Sequence, residues 1–137
     1  MKYVDDDLPF EQIRDRFRAD IYASETTGIE ILEARKDYGR AVLELDGRHV
    51  NGQGGVMGGA IFTLADYAFA IATNTGQEKT VTVETSIHFM APPRGKKLFA
   101  EAKMLRSGHH LCYCEVTITD EFGTQVATTT ATGARVG

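Results

Sequence analysis

Cysteine, proline and tryptophan are scarce in this chain of 137 residues, which contains two cysteines, three prolines and no tryptophan. The cysteines, Cys112 and Cys114, are separated by one residue, and such neighbours on a strand are poorly placed for a disulfide with each other. Also missing is the run of about 20 apolar residues that a membrane-spanning helix needs. The opening MKYVDDDLPF lacks the apolar core of a secretory signal. These absences lead us to expect a cytoplasmic protein that does not enter a membrane.

The sequence has no excess of basic residues either. Its formal net charge is −4, which does not favour binding to nucleic acid. It contains neither the G-x-S-x-G motif of serine hydrolases nor the phosphate loop G-x-x-x-x-G-K-[ST]. With 42% hydrophobic residues, the chain can bury a core. We predict one domain over residues 1–137, in which residues 1–26 form an N-terminal helical extension.

The distribution of apolar residues predicts a short amphipathic helix and one long apolar helix. The short helix covers residues 8–19, where apolar side chains recur at helical spacing. A glycine-rich loop at 46–55 leads into the long helix, predicted from Val56 to Asn74. Only Thr63 and Asp66 interrupt its apolar middle. A helix that is apolar nearly all round must be enclosed by other elements.

About six strands are expected around that helix. Residues 28–45 are typical of two strands joined by a turn at 37–39, and residues 80–90 alternate between apolar and polar side chains. This alternation predicts one face formed by Val81, Val83, Ile87 and Phe89, and an opposite face formed by Thr82, Glu84, Ser86 and His88. Three further strands follow, and their short connections favour an antiparallel meander. The expected fold class is α+β, with a curved antiparallel sheet wrapped around the helix.

Three stretches of the sequence resemble the PaaI-like hotdog-fold acyl-CoA thioesterases, over about residues 27–136. They are HVNGQGGVMGGAIFTLADYAFA, VETSIHFMAPPRG and GTQVATTTATGARV. Members of that family tend to show N-x-x-G-x-x-H-G-G, then a helix with L-x-D, then a strand that ends in F-x-x-P. The matching residues here are Asn51, Gly54, Gly58, Gly59, Leu64, Asp66, Phe89 and Pro92. Met57 stands where the family usually has histidine.

The resemblance implies a hotdog fold, in which one long central helix is wrapped by five to six strands. It further implies hydrolysis of acyl-CoA or aryl-CoA thioesters by a homodimer or homotetramer, with an active site at the interface and no cofactor or metal. A non-catalytic binder of CoA esters or aromatic acids is the alternative, and Met57 is its best support. A hotdog hydratase is less favoured, because no histidine–acid pair is evident.

The glycines that begin the long helix are the first candidate site residues. Backbone N–H groups at a helix start are unpaired and lie at its positive end. Gly58 and Gly59 could therefore hold a thioester carbonyl as negative charge develops on its oxygen. A tight turn that requires small residues is the alternative explanation.

Asp66 is the candidate general base or nucleophile, because a carboxylate in apolar surroundings needs either partners or a raised pKa. A structural acid remains the alternative. Gly58 and Asp66 are eight residues apart, which corresponds to about 12 Å along one helix. We therefore expect a single site to take Gly58 from one subunit and Asp66 from another, across a two-fold axis.

The resemblance suggests further site residues, each with an alternative role. Asn51 could hold the carbonyl or orient water, or it could simply form an Asn-Gly turn. Thr82 could position water against Asp66, or it could serve only as a strand former. His49 could replace the histidine that is missing at Met57.

Substrate contacts are expected from three more regions of the chain. Met57, Gly59 and Phe89 are candidates for the acyl end of the substrate. Arg106, Gly108 and His109 correspond to the turn that similar proteins place near the nucleotide of CoA. His109 occupies a position where relatives often carry lysine or arginine. The segment HHLCYC offers too few separated ligands to predict a metal site.

Overall fold

The long apolar segment forms helix α2, Gly58–Asn74, in a computed structural model that describes residues 2–137. Its side chains Leu64, Ala68 and Ile71 are completely buried against strands of a single sheet. The composition of the helix predicted that it is enclosed on every side, but the structure leaves one side uncovered. Gly59 and Phe62 are exposed, and Asp66 on the same face is half-buried, so one stripe of α2 remains open to a ligand or a partner.

The sheet has six strands, and all of its neighbouring strands run antiparallel. The strands are β1 Ile29–Arg35, β2 Tyr38–Glu44, β3 Thr80–Phe89, β4 Lys97–Ser107, β5 Leu111–Asp120 and β6 Gln125–Arg135. Their order is β1-β2-β4-β5-β6-β3. The meander prediction is therefore correct only for β4, β5 and β6. Residues 90–96 carry the chain from β3 at one edge back to β4 beside β2, so β3 pairs with β6 instead of β4.

The N-terminal segment packs against β1 and α2. It contains helix α1, Phe10–Arg18, and a π-helical turn, Tyr22–Thr27. Phe17 is 2% exposed, and its carbonyl accepts a hydrogen bond of 2.7 Å from the hydroxyl of Tyr67 on α2. Sequence periodicity located α1 but not the π-helical turn. Among residues 2–137, none of the helices is long and apolar enough to cross a membrane.

A β-bulge in β3 changes the faces predicted for this strand. Thr82 pairs with Gly133, while Glu84 pairs with the next residue along β6, so Val83 is an extra residue. Thr82 therefore lies on the helix-facing side together with Ile87 and Phe89, opposite small or buried residues of β6. The predicted grouping of Thr82 with Glu84 was wrong, because strict alternation does not continue through a bulge.

The free edge of β3 is unusually apolar for a sheet edge. Val81, Val83 and Phe89 are 42%, 59% and 54% exposed, and β6 is the only neighbour of β3 within residues 2–137. Unpaired edge strands are ready to pair with another chain, and monomeric proteins usually protect them. Within residues 2–137, no other strand pairs with this edge of β3.

Asp120 fixes the connection that follows β3. It is buried, and its carboxylate accepts N–H groups from Arg94, Gly95, Phe122 and Thr124 at 2.8–3.1 Å. Burial alone would raise the pKa of this carboxyl, but the hydrogen bonds outweigh burial and hold the pKa well below its usual value. The turn after β3 is thereby locked to the turn between β5 and β6.

Candidate active site

The start of α2 presents two unused backbone donors. The N–H groups of Ala60 and Ile61 bond to the carbonyl of Met57, whereas those of Gly58 and Gly59 have no hydrogen-bond partner within residues 2–137. They lie at the positive end of a helix of 17 residues. This arrangement can stabilise a negatively charged oxygen.

Asn51 holds the glycine-rich loop that leads to these donors. Its side-chain oxygen accepts hydrogen bonds from Gln53 and Gly55 N–H at 2.9 and 3.0 Å. A short bridge between Val50 and Val56 closes the neck of the loop. The turn-forming role of Asn51 is therefore present in the structure, and only its amide nitrogen is left for a substrate.

His49 does not take the place of the histidine missing at Met57. It is 3% exposed, and both of its ring nitrogens lie within hydrogen-bonding distance of backbone groups. Met57 is instead the residue immediately before α2, and it is 53% exposed. The position at which the family resemblance led us to expect histidine thus presents a flexible apolar side chain to solvent.

Phe89, a candidate for contact with the acyl end of the substrate, lies directly against the helix start. A Cβ atom added to Gly58 would lie 3.3 Å from the Phe89 ring. Beside this contact is a cavity of about 410 Å³, lined only by apolar residues and glycines. The lining consists of Gly55, Val56, Gly58, Ile61, Phe89, Met90, Ala91, Pro92 and Pro93. An apolar group bound there would lie next to a free N–H donor.

Asp66 lies two turns further along α2, half-buried, with a pKa above the ordinary value of an aspartate. Burial is the main cause, because it disfavours the charged carboxylate. The nearby Thr82 hydroxyl favours the charged form and lowers the pKa, and the charge of Asp20 raises it further. The bulge in β3 turns Thr82 toward α2, so the structure brings this hydroxyl near the acid, which agrees with one of the two roles considered for Thr82.

Asp20 is the residue near the candidate site that sequence reasoning missed. It lies between α1 and the π-helical turn, far from Asp66 along the chain. No motif marks it, since a lone acid in a polar N-terminal segment usually lies on a solvated surface. Only the packing of this segment against α2 brings its charge close enough to act on Asp66.

The residues predicted to contact the nucleotide are found beyond the far end of α2. Gly108 and His109 line a cavity of about 520 Å³ together with Lys2, Lys36, Ser107 and His110 among others. Arg106 is not one of the lining residues. Arg135 does line the cavity, but its guanidinium already donates to Thr73, Gln77, Thr80 and Ser107 at 2.6–2.9 Å. Three cations and one acid, Glu78, line the cavity. Arg135 is committed to the fold, and Lys2 lies 3.5–3.8 Å from the carboxylates of Asp5 and Asp6.

Comparison with known proteins identifies the family. The model of the thioesterase superfamily matches residues 53–127. The chain belongs to the thioesterase superfamily. The matched residues of this thioesterase-superfamily member include the last residues of the glycine-rich loop, all of α2 and β3, so they contain Gly58, Asp66 and Thr82 but begin after Asn51.

Individual relatives are distant in sequence and close in fold. A curated protein of Archaeoglobus fulgidus, provisionally named an esterase, is 34% identical over 100 residues, which are 72% of this chain and 65% of that protein. The PaaI protein of the E. coli phenylacetic acid degradation operon superposes with a TM-score of 0.86 at 23% identity, covering 93% of both chains. A Streptococcus pneumoniae hypothetical thioesterase, solved with coenzyme A, has a TM-score of 0.80 at 24% identity, covering 90% of this chain and 96% of the other. The predicted thioesterase family is confirmed at the level of the superfamily, and the predicted hotdog fold is confirmed.

Proposed function

We propose that this protein hydrolyses acyl-CoA or aryl-CoA thioesters to a free acid and CoA. One observation supports this above all others. In a member of the thioesterase superfamily, the Gly58 N–H has no hydrogen-bond partner within residues 2–137 and borders an apolar cavity, while the same helix carries a half-buried acid with a raised pKa. Two adjacent N–H donors and an acid of raised pKa are the groups that an enzyme needs to transfer an acyl group to water.

The chemistry assigns one task to each part. The thioester carbonyl oxygen accepts the N–H groups of Gly58 and Gly59, and the acyl group occupies the apolar cavity beside Phe89. Asp66 either takes a proton from the attacking water or attacks the carbonyl carbon itself. The tetrahedral intermediate then breaks its C–S bond and releases CoA as a thiolate. If Asp66 acted as the base, the proton it took from water passes to the thiolate. If Asp66 attacked, the mixed anhydride that remains on Asp66 is hydrolysed by water to the free acid and the carboxylate. Thr82 and the free amide nitrogen of Asn51 hold the water.

The site requires two subunits, because Gly58 and Asp66 are separated by about 12 Å along one helix. The edge of β3 supplies the means of assembly. In one chain Asp66 lies beside Thr82 and Gly58 lies beside Phe89. Antiparallel pairing of β3 with a second copy, with Thr82 opposite the partner's Phe89, brings each Asp66 toward the partner's helix start. The same pairing covers the exposed edge, so a homodimer is the minimal active form, and a homotetramer can be built from two of them.

The nucleotide of CoA fits the cationic cavity of the subunit that supplies Asp66. Asp66 lies eight residues before the end of α2, or about 12 Å along the helix axis, and the cavity lies just beyond that end. Lys36 and His109 are then the residues that receive phosphate, with Gly108 shaping the turn. Arg106 does not line this cavity, and it contributes only to the electrostatic potential around the cavity entrance.

Turnover by an Asp66→Asn variant tests the proposal. Across a panel of acyl- and aryl-CoAs, release of free thiol should give a kcat at least about 10²-fold lower than that of the wild type. Because burial raises the pKa of Asp66, ionisation of this acid at neutral pH costs folding stability. The variant should therefore melt at a higher temperature than the wild type at pH 7.

The outcomes separate the two alternatives from the proposal. A structural acid would leave kcat unchanged and would lower the melting temperature when replaced. A non-catalytic binder, which Met57 in the usual histidine position favours, would show CoA-ester binding by calorimetry and no thiol release by the wild-type protein. Asp15→Asn, a change of an exposed acid on α1, is the matched control and should alter neither kcat nor melting temperature.

A further inference from the structure

The buried side chain of His49 joins two parts of the chain that are distant in sequence. Its Nδ1 accepts the backbone N–H of Asp46 at 3.0 Å, and its Nε2 lies 2.7 Å from the carbonyl oxygen of Thr27. A nitrogen that accepts a backbone N–H carries no proton, so Nε2 is the protonated nitrogen and donates to Thr27. The ring thereby connects the end of the N-terminal segment to the turn at the beginning of the glycine-rich loop.

The backbone of His49 continues this connection to the start of α2. Its carbonyl accepts the N–H of Met57 at 2.7 Å, and Met57 is the residue immediately before Gly58. The bridge between Val50 and Val56 closes the loop just inside this bond. The direction of the Gly58 and Gly59 N–H groups therefore depends on where His49 is held.

Arg48 strengthens the same contact from the solvent side. Its Nη1 donates to the carbonyls of Glu25 and Thr26 at 3.2 and 3.1 Å. These carbonyls belong to the last turn of a helical segment, where no partner within the helix is available. Asp46 orients the guanidinium through bonds of 3.0–3.2 Å to its carboxylate. Three successive carbonyls, from Glu25 to Thr27, are thus capped by two neighbouring side chains.

From this geometry we infer that His49 is a positioning residue for the N–H groups of Gly58 and Gly59, and that the N-terminal segment 10–27 supports catalysis through it. The inference rests on the proposed function, because it assigns a task to the helix start. His49 itself touches no substrate, since its side chain is 3% exposed and both nitrogens are used. The N-terminal segment is accordingly a support for the donors, in addition to a cover over the core.

Substitutions at position 49 can separate the two ring contacts. His49→Gln keeps an N–H donor in the place of Nε2, His49→Asn keeps an acceptor in the place of Nδ1, and His49→Phe keeps neither. Since the bond to Thr27 is the one that reaches the N-terminal segment, His49→Gln should retain most of the wild-type kcat. We expect the other two variants to lose at least about 10-fold in kcat with KM unchanged, as displaced reacting groups do.

Amide resonances of Gly58 and Gly59 provide a readout that does not depend on turnover. They should shift in His49→Asn and stay near their wild-type positions in His49→Gln. Val116→Ala is the control for general destabilisation, because Val116 is completely buried in β5 and pairs with residues of β4 and β6. Its kcat per folded subunit and its two glycine resonances should match the wild type.

Two results would overturn the inference. One is wild-type kcat in both His49→Asn and His49→Phe. The other is glycine resonances that do not move in His49→Asn, or that move as much in Val116→Ala. If the wild-type protein hydrolyses no CoA ester, the proposed function fails, while the resonances still decide whether His49 positions the helix start.

Discussion

Two variants that are each inactive should restore activity to one another if the site is shared between subunits. Asp66→Asn removes the acid, and Gly58→Pro removes one N–H donor. Proline is tolerated at the first residue of a helix, and the extended backbone of Met57, with φ −64° and ψ 127°, suits a following proline. The N–H that is removed makes no hydrogen bond within residues 2–137. Each variant alone should lose at least about 10²-fold in kcat.

The size of the recovery follows from the geometry of α2. Gly58 and Asp66 lie about 12 Å apart along one helix, so each site combines Gly58 of one subunit with Asp66 of the other. Random reassociation of equal amounts makes about half of the dimers mixed, and one of the two sites in each mixed dimer carries both native residues. The mixture should therefore regain about a quarter of wild-type turnover per subunit.

The assay unfolds the two variants together in urea, refolds them by dilution and measures release of free thiol from an acyl-CoA. A refolded mixture no more active than its parents would refute the shared site. Gly58→Ala is the matched control: it keeps the N–H, and its Cβ would meet the Phe89 ring at 3.3 Å. This variant should retain activity. If it were as inactive as Gly58→Pro, crowding of Phe89 would explain the loss better than removal of a donor.

Two further predictions concern charge. The negative charge of Asp20 raises the pKa of Asp66. Asp20→Asn should therefore move the acid limb of the kcat–pH profile to lower pH, whereas the control Asp15→Asn should leave that limb in place. If neither variant moved the limb, Asp20 would have no role at the site. The pKa of Asp120 is held below its usual value, so its carboxylate stabilises the fold above the unfolded-state pKa, and this contribution is lost as pH falls through the folded-state pKa. Asp120→Asn should therefore have a lower urea midpoint of unfolding than the wild type at pH 7, and the difference between the two midpoints should shrink in acid. Equal midpoints at pH 7 would contradict the stabilising role of these hydrogen bonds.

Much of the candidate site was predictable from local sequence. The glycine-rich loop, the helix of α2 and the strand after it each carry a signal within a few residues, because helix starts and alternating strands depend on near neighbours. The family resemblance then selected Asp66, Gly58 and Asn51 from those segments. The expected separation of Gly58 and Asp66 needed only the rise of a helix.

Other features depend on contacts between distant parts of the chain. The bulge that turns Thr82 toward Asp66 arises from pairing with β6, and strand alternation alone assigned Thr82 to the wrong face. The order of the strands depends on the path of residues 90–96, which has no local signature. The effect of Asp20 on Asp66 requires the N-terminal segment to fold over α2.

The sequence by itself determined the two α-helices and the six strands, where the unpaired N–H donors lie and which acid lies in an apolar helix, since these follow from local periodicity and residue chemistry. Only the tertiary structure decided the environment of those groups. It placed Thr82 and Asp20 near the acid, used both nitrogens of His49 within the fold and left the apolar edge of β3 exposed. The physical reason is that burial, pairing register and the distance between charges are properties of packed elements, and no single segment contains them.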